Sequence, residues 1–84
     1  MEDSKKTQEE VVQTMDLDEA ITFFENMKLL NNAEPHLPYI NLGKVYWLKG
    51  MLRKAHSEFE QAQVLDPDNE DIRSLLESLQ MSLN

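Results

Sequence analysis

Residues 38–67 read PYINLGKVYWLKGMLRKAHSEFEQAQVLDP, and this stretch spells two helices separated by a single glycine stop. Tyr39, Leu42, Gly43 and Tyr46 recur at steps of three and four, which puts them on one face of a helix predicted over 37–49. Gly50 follows as a C-terminal stop. Leu52, Ala55, Phe59, Ala62 and Leu65 then form the apolar face of a second helix, over 52–65, which Pro67 prevents from continuing. Small residues oppose large ones across the pair: Gly43 and Ala55 permit close approach, while Tyr46 and Phe59 supply volume. A glycine inside a helix costs about 1 kcal/mol relative to alanine, so Gly43 implies a neighbour packed too close for a larger residue.

Working outward, residues 17–30 repeat the second helix at an offset of 35, with five identities in fourteen positions: Leu17 over Leu52, Ala20 over Ala55, Phe24 over Phe59, Glu25 over Glu60 and Leu30 over Leu65. The buried face of this helix, predicted over 17–31, is Leu17, Ala20, Ile21, Phe24, Met27 and Leu30, with Asn31 and Asn32 ending it. Asp16 reads as its N-cap, accepting from the backbone near Glu19 in an aspartate version of the capping box. Val11, Val12 and Met15 predict a short helix over 8–15, and the polar residues 1–7 are expected to be disordered. After Pro67, Asp68 or Asn69 caps a helix predicted over 69–82, whose stripe is Ile72, Leu75, Leu76, Leu79 and Leu83. Glu77 stands in this helix where Gly43 stands one repeat earlier, so no partner helix comes as close on that side.

The series Tyr39, Leu42, Gly43, Tyr46, Gly50, Ala55, Phe59, Ala62, Pro67 resembles a tetratricopeptide repeat, with Tyr39 in the slot where that family usually has Trp. The repeat length of about 34 residues fits residues 36–69. The resemblance implies an all-α fold of antiparallel helix-turn-helix repeats stacked as a short right-handed superhelix. Its expected organisation is a disordered segment at 1–7, a degenerate first repeat at 8–35, a complete repeat at 36–69 and a C-terminal capping helix within 70–84. Thr7, Gln8 and Val11 fall where the first repeat would carry Leu, Gly and Tyr. Terminal repeats need a solvating outer face, which the last helix would supply.

Composition narrows the function. Eighty-four residues bound a single domain near the lower limit for an independent core, and with no cysteine the chain has no disulfide. The apolar runs are far short of the roughly 20 residues a membrane span requires, and MEDSKKTQEE lacks the apolar region of a signal peptide, so a cytoplasmic protein without membrane insertion is expected. A net charge of −8 repels phosphate backbones and argues against nucleic-acid partners. Only residues 35–65 are net positive, with four basic residues against two acidic.

No Ser/His/Asp order, glycine-rich phosphate loop or paired-carboxylate motif is present, so neither an enzyme nor a cofactor is expected. The acidic run Asp66 to Asp71 has the look of a calcium loop, but Asp71 stands where the turn glycine belongs and Pro67 stiffens it. It reads instead as a helix stop followed by acids at the next helix N-terminus. His36 and His56 lie on different elements, without cysteine or carboxylate at ligand spacing, and read as surface residues rather than a zinc site.

The resemblance places Leu37, Ile40, Asn41, Lys44, Trp47 and Leu48 on the ligand-facing side of their helix, where a peptide or helix docks in this family. Two readings stand for them: an apolar groove anchored by Trp47, or packing beneath the neighbouring helices. Lys49, Arg53 and Lys54 cluster around the Gly50 turn as a secondary basic site or as solvated charges. Family members that grip C-terminal carboxylates use Lys, Asn and Arg on successive inner helices. Asn41 and Lys5 match that set, whereas Glu9, Asp71 and Leu75 depart from it. The expected function is therefore a protein-interaction module, an adaptor or small co-chaperone. Its partner would be a protein or peptide with apolar anchors and some acidic residues. The alternative is a structural assembly protein that homodimerises through the apolar groove or an open N-terminal end.

Overall fold

Gly50 has φ +79°, a left-handed conformation that other residues rarely adopt, and the chain reverses there between two antiparallel helices. The computed structural model describes residues 16–30 and 33–83. It contains helices α1 (Leu17–Met27), α2 (Leu37–Leu48), α3 (Leu52–Leu65) and α4 (Glu70–Leu83), with no strand among the described residues. Each helix packs on the next, α1 on α2, α2 on α3 and α3 on α4, giving the all-α, hairpin-built stack expected from the sequence. The helix predicted over 8–15, the segment 1–7 and the stop at Asn31 and Asn32 lie outside the described residues.

The core forms where small residues face large ones. Leu42, Ala55, Phe59 and Leu79 are fully buried and, with Tyr46, make the main cluster. Gly43 is the contact that sets the spacing of α2 and α3. A Cβ built on it would stand 2.3 Å from Phe59 Cε1 and 2.5 Å from Cδ1, so the ring occupies the volume that any side chain would need. A second cluster of Ile40, Ala62 and Ile72 joins α2, α3 and α4 toward the end of the hairpin away from Gly50.

Several local expectations are corrected. Helix α1 ends at Met27 rather than near residue 31, because the backbone tightens there: Leu29 N–H donates to Asn26 O and Leu30 N–H to Met27 O, both three residues back. Leu30 consequently projects into solvent at 58% exposure, where a buried position was expected. Leu65 is likewise 45% exposed, since the chain turns away immediately after it and Ile72 rather than Leu65 fills the joint with Ala62. Asp16 caps α1, but its Oδ1 accepts from Asp18 N–H at 3.0 Å, one residue earlier than a capping box with Glu19 requires.

The last helix begins as anticipated. Asn69 Oδ1 accepts from Ile72 N–H at 3.1 Å while its amide donates to Asp66 Oδ2 at 3.0 Å, so one side chain caps α4 and ties it to the end of α3. Leu79 is fully buried, Leu76 half-buried, and Glu77 faces solvent.

Candidate partner-binding grooves

Helices α2 and α4 both pack on α3, and a groove of about 430 Å³ lies between them. From α2 it receives Ile40 and Lys44, one turn apart. From α4 it receives Asp71, Ser74, Leu75 and Ser78, at the spacing of one helix face. The floor is apolar: Ile40 is buried in the second core cluster and Leu75 is half-buried. Lys44 and Asp71 stand exposed on opposite sides, and neither forms an ion pair among the described residues.

A second hollow, of about 320 Å³, lies between α1 and α2 and is lined by Phe24, Met27, Glu34, Leu37, Pro38 and Asn41. Phe23 flanks it at 49% exposure, its ring edge-on to Phe24 with centroids 5.2 Å apart. The six residues assigned to one stripe are thus divided. Ile40 and Lys44 face α4, Leu37 and Asn41 face α1, and Trp47 and Leu48 line neither hollow. Trp47 is half-buried at the margin of the main core, its ring edge-on to Phe59 at 6.2 Å, while Leu48 is 75% exposed. Ser74 and Ser78 were not singled out from the sequence, although their spacing with Asp71 and Leu75 marks one face of α4. Phe24 and Met27 had been assigned to core, and they are only half-buried.

Charges fix α1 against the hairpin at both ends. Beyond its C-terminus, Lys28 Nζ lies 3.1 Å from Glu58 Oε1, 3.3 Å from Glu25 Oε1 and 4.5 Å from the centre of the Tyr39 ring. Its well-directed hydrogen bond goes to Glu58 Oε2 at 3.4 Å, which leaves the buried Oε1 compensated by the nearby charge alone. Burial works against the Lys28 ammonium, but the hydrogen bonds and charges of Glu58 and Glu25 outweigh it and hold its pKa above the ordinary lysine value. Burial, reinforced by the same two carboxylates, raises the Tyr46 phenol. At the other end of α1, Lys49 donates to Asp18, and that hydrogen bond raises its pKa.

Within the basic trio at the turn, Lys49 therefore has an intramolecular partner, and Lys54 lies 5.4 Å from the Tyr46 ring centre. Arg53 and Lys54 flank a shallow apolar depression formed with Met51, Leu52 and Leu83. Neither histidine is freely exposed, contrary to expectation: His36 Nε2 lies 3.5 Å from Asp66, and His56 Nδ1 lies 3.6 Å from Glu60 on the next turn, with both rings half-buried. Among the described residues no group of three or more His, Asp or Glu is placed to hold a metal ion, and no helix is long and apolar enough to cross a membrane.

Two helices reversing at a left-handed glycine, locked by a second glycine against a phenylalanine ring, define a helical-hairpin repeat. The family model of the tetratricopeptide repeat matches residues 36–69, the hairpin of α2 and α3 on which α4 packs, and supports the resemblance read from the sequence. No curated protein and no solved structure matches the chain significantly. Repeats of this family serve in general as protein–protein interaction modules and non-catalytic scaffolds.

Proposed function

We propose that the chain is an adaptor or small co-chaperone that holds a peptide segment of a protein partner in the groove between α2 and α4. The observation that carries this reading is the groove's make-up. It has an apolar floor of Ile40 and Leu75, rimmed by polar and charged side chains that make no ion pair within the described residues. An apolar floor with a few convergent polar groups is the general pattern of a recognition site. The test compares the proteins retained by the wild type and by Ser74→Trp, whose indole would fill the groove from an exposed position. Partners that depend on the groove are lost from the variant while its helicity and melting temperature stay unchanged. Identical partner sets would refute the groove as the binding surface.

A second reading has its own support. Phe23 and Leu37 are 49% and 41% exposed beside the hollow formed by Phe24 and Met27, which favours self-association at the α1 end. Light scattering distinguishes the two: a dimer that Phe23→Ser returns to a monomer supports assembly, and a monomeric wild type excludes it.

A further inference from the structure

The groove between α2 and α4 has a charge polarity across its width. Lys44 stands on the α2 rim and Asp71 on the α4 rim, with Ile40 and Leu75 below them and the Ser74 hydroxyl beside Asp71 on the α4 face. Both charged groups are exposed, share the same groove, and pair neither with each other nor with any other described residue. Lysines 28 and 49, by contrast, each meet a carboxylate of a neighbouring helix. The chain therefore closes interhelical charge pairs elsewhere and leaves this one open. A ligand lying over the apolar floor meets a cation on one side and an anion on the other. A uniformly acidic segment is repelled at Asp71, and a uniformly basic one at Lys44.

Resting on the groove reading above, we propose that Lys44 and Asp71 select an extended peptide that carries an apolar residue between one acidic and one basic side chain, and that they fix the direction in which it lies. The apolar residue seats over Ile40 and Leu75, the acid faces Lys44 and the base faces Asp71. A groove of about 430 Å³ is on the order of 10 Å across, which an extended chain at roughly 3.3 Å per residue crosses in about three residues. The acid and base therefore stand two to four positions apart. The apolar anchors and acidic residues expected of the partner from the sequence are kept, and a basic residue is added to them. The basic member of that pair is what Asp71 adds.

The experiment uses a set of fluorescein-labelled dodecapeptides with a central Leu and one Glu and one Lys separated by two to four residues, in both orders. Matched peptides carry Gln at one or both charged positions. Anisotropy titrations are run against the full chain at low salt. The wild type should prefer one order of charges over the other and over the Gln peptides by about three- to tenfold, the scale of one or two solvent-exposed ion pairs. With peptides carrying two Glu or two Lys at the same positions added to the set, Asp71→Lys should move the preference to the two acids and Lys44→Glu to the two bases. The deciding variant is the double exchange Lys44→Glu/Asp71→Lys, which keeps the net charge at −8 and should reverse the preferred order. An unchanged order in the double exchange overturns charge selection, because the polarity of the rims has then been inverted without effect. If Ser74→Trp still abolishes binding in that case, the groove holds peptides and only the selection fails. If no peptide binds the wild type, or Ser74→Trp binds as well as wild type, the groove reading falls and the selection with it. Circular dichroism of each variant establishes that the folds are equal.

Discussion

Gly43→Ala tests the packing at its tightest point. The new Cβ would stand 2.3, 2.5 and 2.8 Å from three atoms of the Phe59 ring, whereas carbon atoms in contact sit about 3.5–4.0 Å apart. The ring must retreat by roughly 1 Å, and it has nowhere free to go: Phe59 is fully buried, in one cluster with Leu42, Tyr46, Ala55 and Leu79, and Trp47 stands edge-on at 6.2 Å. Two effects oppose each other. Alanine is favoured over glycine within a helix by about 1 kcal/mol, while overpacking a filled core costs about 1–3 kcal/mol. Propensity alone predicts a more stable protein, and the structure predicts a net loss of about 1–2 kcal/mol. Gly43→Leu should lose about 2 kcal/mol or more.

The chain has a single tryptophan, and its contact with Phe59 makes its fluorescence a direct report on this joint during urea unfolding. Phe59→Leu removes ring volume at some cost of its own. With Gly43→Ala added, the double variant should be more stable than the sum of the two losses predicts, because each change relieves the other. A Gly43→Ala protein as stable as wild type or more so would refute the close approach of α2 and α3.

Gly50→Ala should cost about 1 kcal/mol for a different reason, since nothing lies within 4 Å of its Cβ position and the strain comes from φ +79° alone. A neutral result in chemical denaturation would show that the turn relaxes to another conformation. Leu79→Ala should lose about 3 kcal/mol in the same assay, because this fully buried residue of α4 belongs to the main core; a loss under 1 kcal/mol would make α4 a loosely attached tail. Lys28→Met should cost about 1–2 kcal/mol, between the values for exposed and buried pairs, by leaving the half-buried Glu58 without its partner. A pKa raised in the folded state gives stability that is complete below the unfolded value of 10.5 and is lost as pH rises through the raised value. Wild-type stability should therefore fall above about pH 10, with the Tyr46 phenol contributing in the same direction, and Lys28→Met should flatten that fall in melting curves taken from about pH 8 to 11.5.

The hairpin was legible because its two glycines leave marks that no other residue type would leave. Gly43 within an apolar helix face demands a close neighbour, and Gly50 between two periodic runs demands a reversal. The N-cap at Asn69 was legible for a similar reason, a short polar side chain directly ahead of an apolar period. Helix ends without such a mark were not. The last turn of α1 has no Gly or Pro to stop it, and nothing in the sequence marks the tightening of its backbone at Leu29 and Leu30. Lys28 gave no sign of its role, since Glu58 stands thirty residues away and the two meet only when α1 docks across the hairpin. The division of the α2 stripe was hidden too. Leu37, Ile40, Asn41 and Lys44 share one broad side of the helix, and which of them faces α1 or α4 is set by how the neighbouring helices cross it.

The groove and the core are built on the same residues, which limits how far the site can move. Ile40 forms part of the groove floor and also packs with Ala62 and Ile72 in the cluster that joins α2, α3 and α4. Lys44 follows Gly43 directly, so the rim cation is carried by the backbone that the Phe59 ring fixes against α3. Asp71 lies between Glu70, the first residue of α4, and Ile72, whose N–H the Asn69 cap holds in place. Each rim charge is therefore one residue from a packing constraint. The separation of Lys44 and Asp71 is set by interior contacts, and their side chains supply the adaptability. Under the proposed charge selection, such a surface would distinguish ligands by where the charges fall along an extended chain, because both rim positions are tied to the core beneath them.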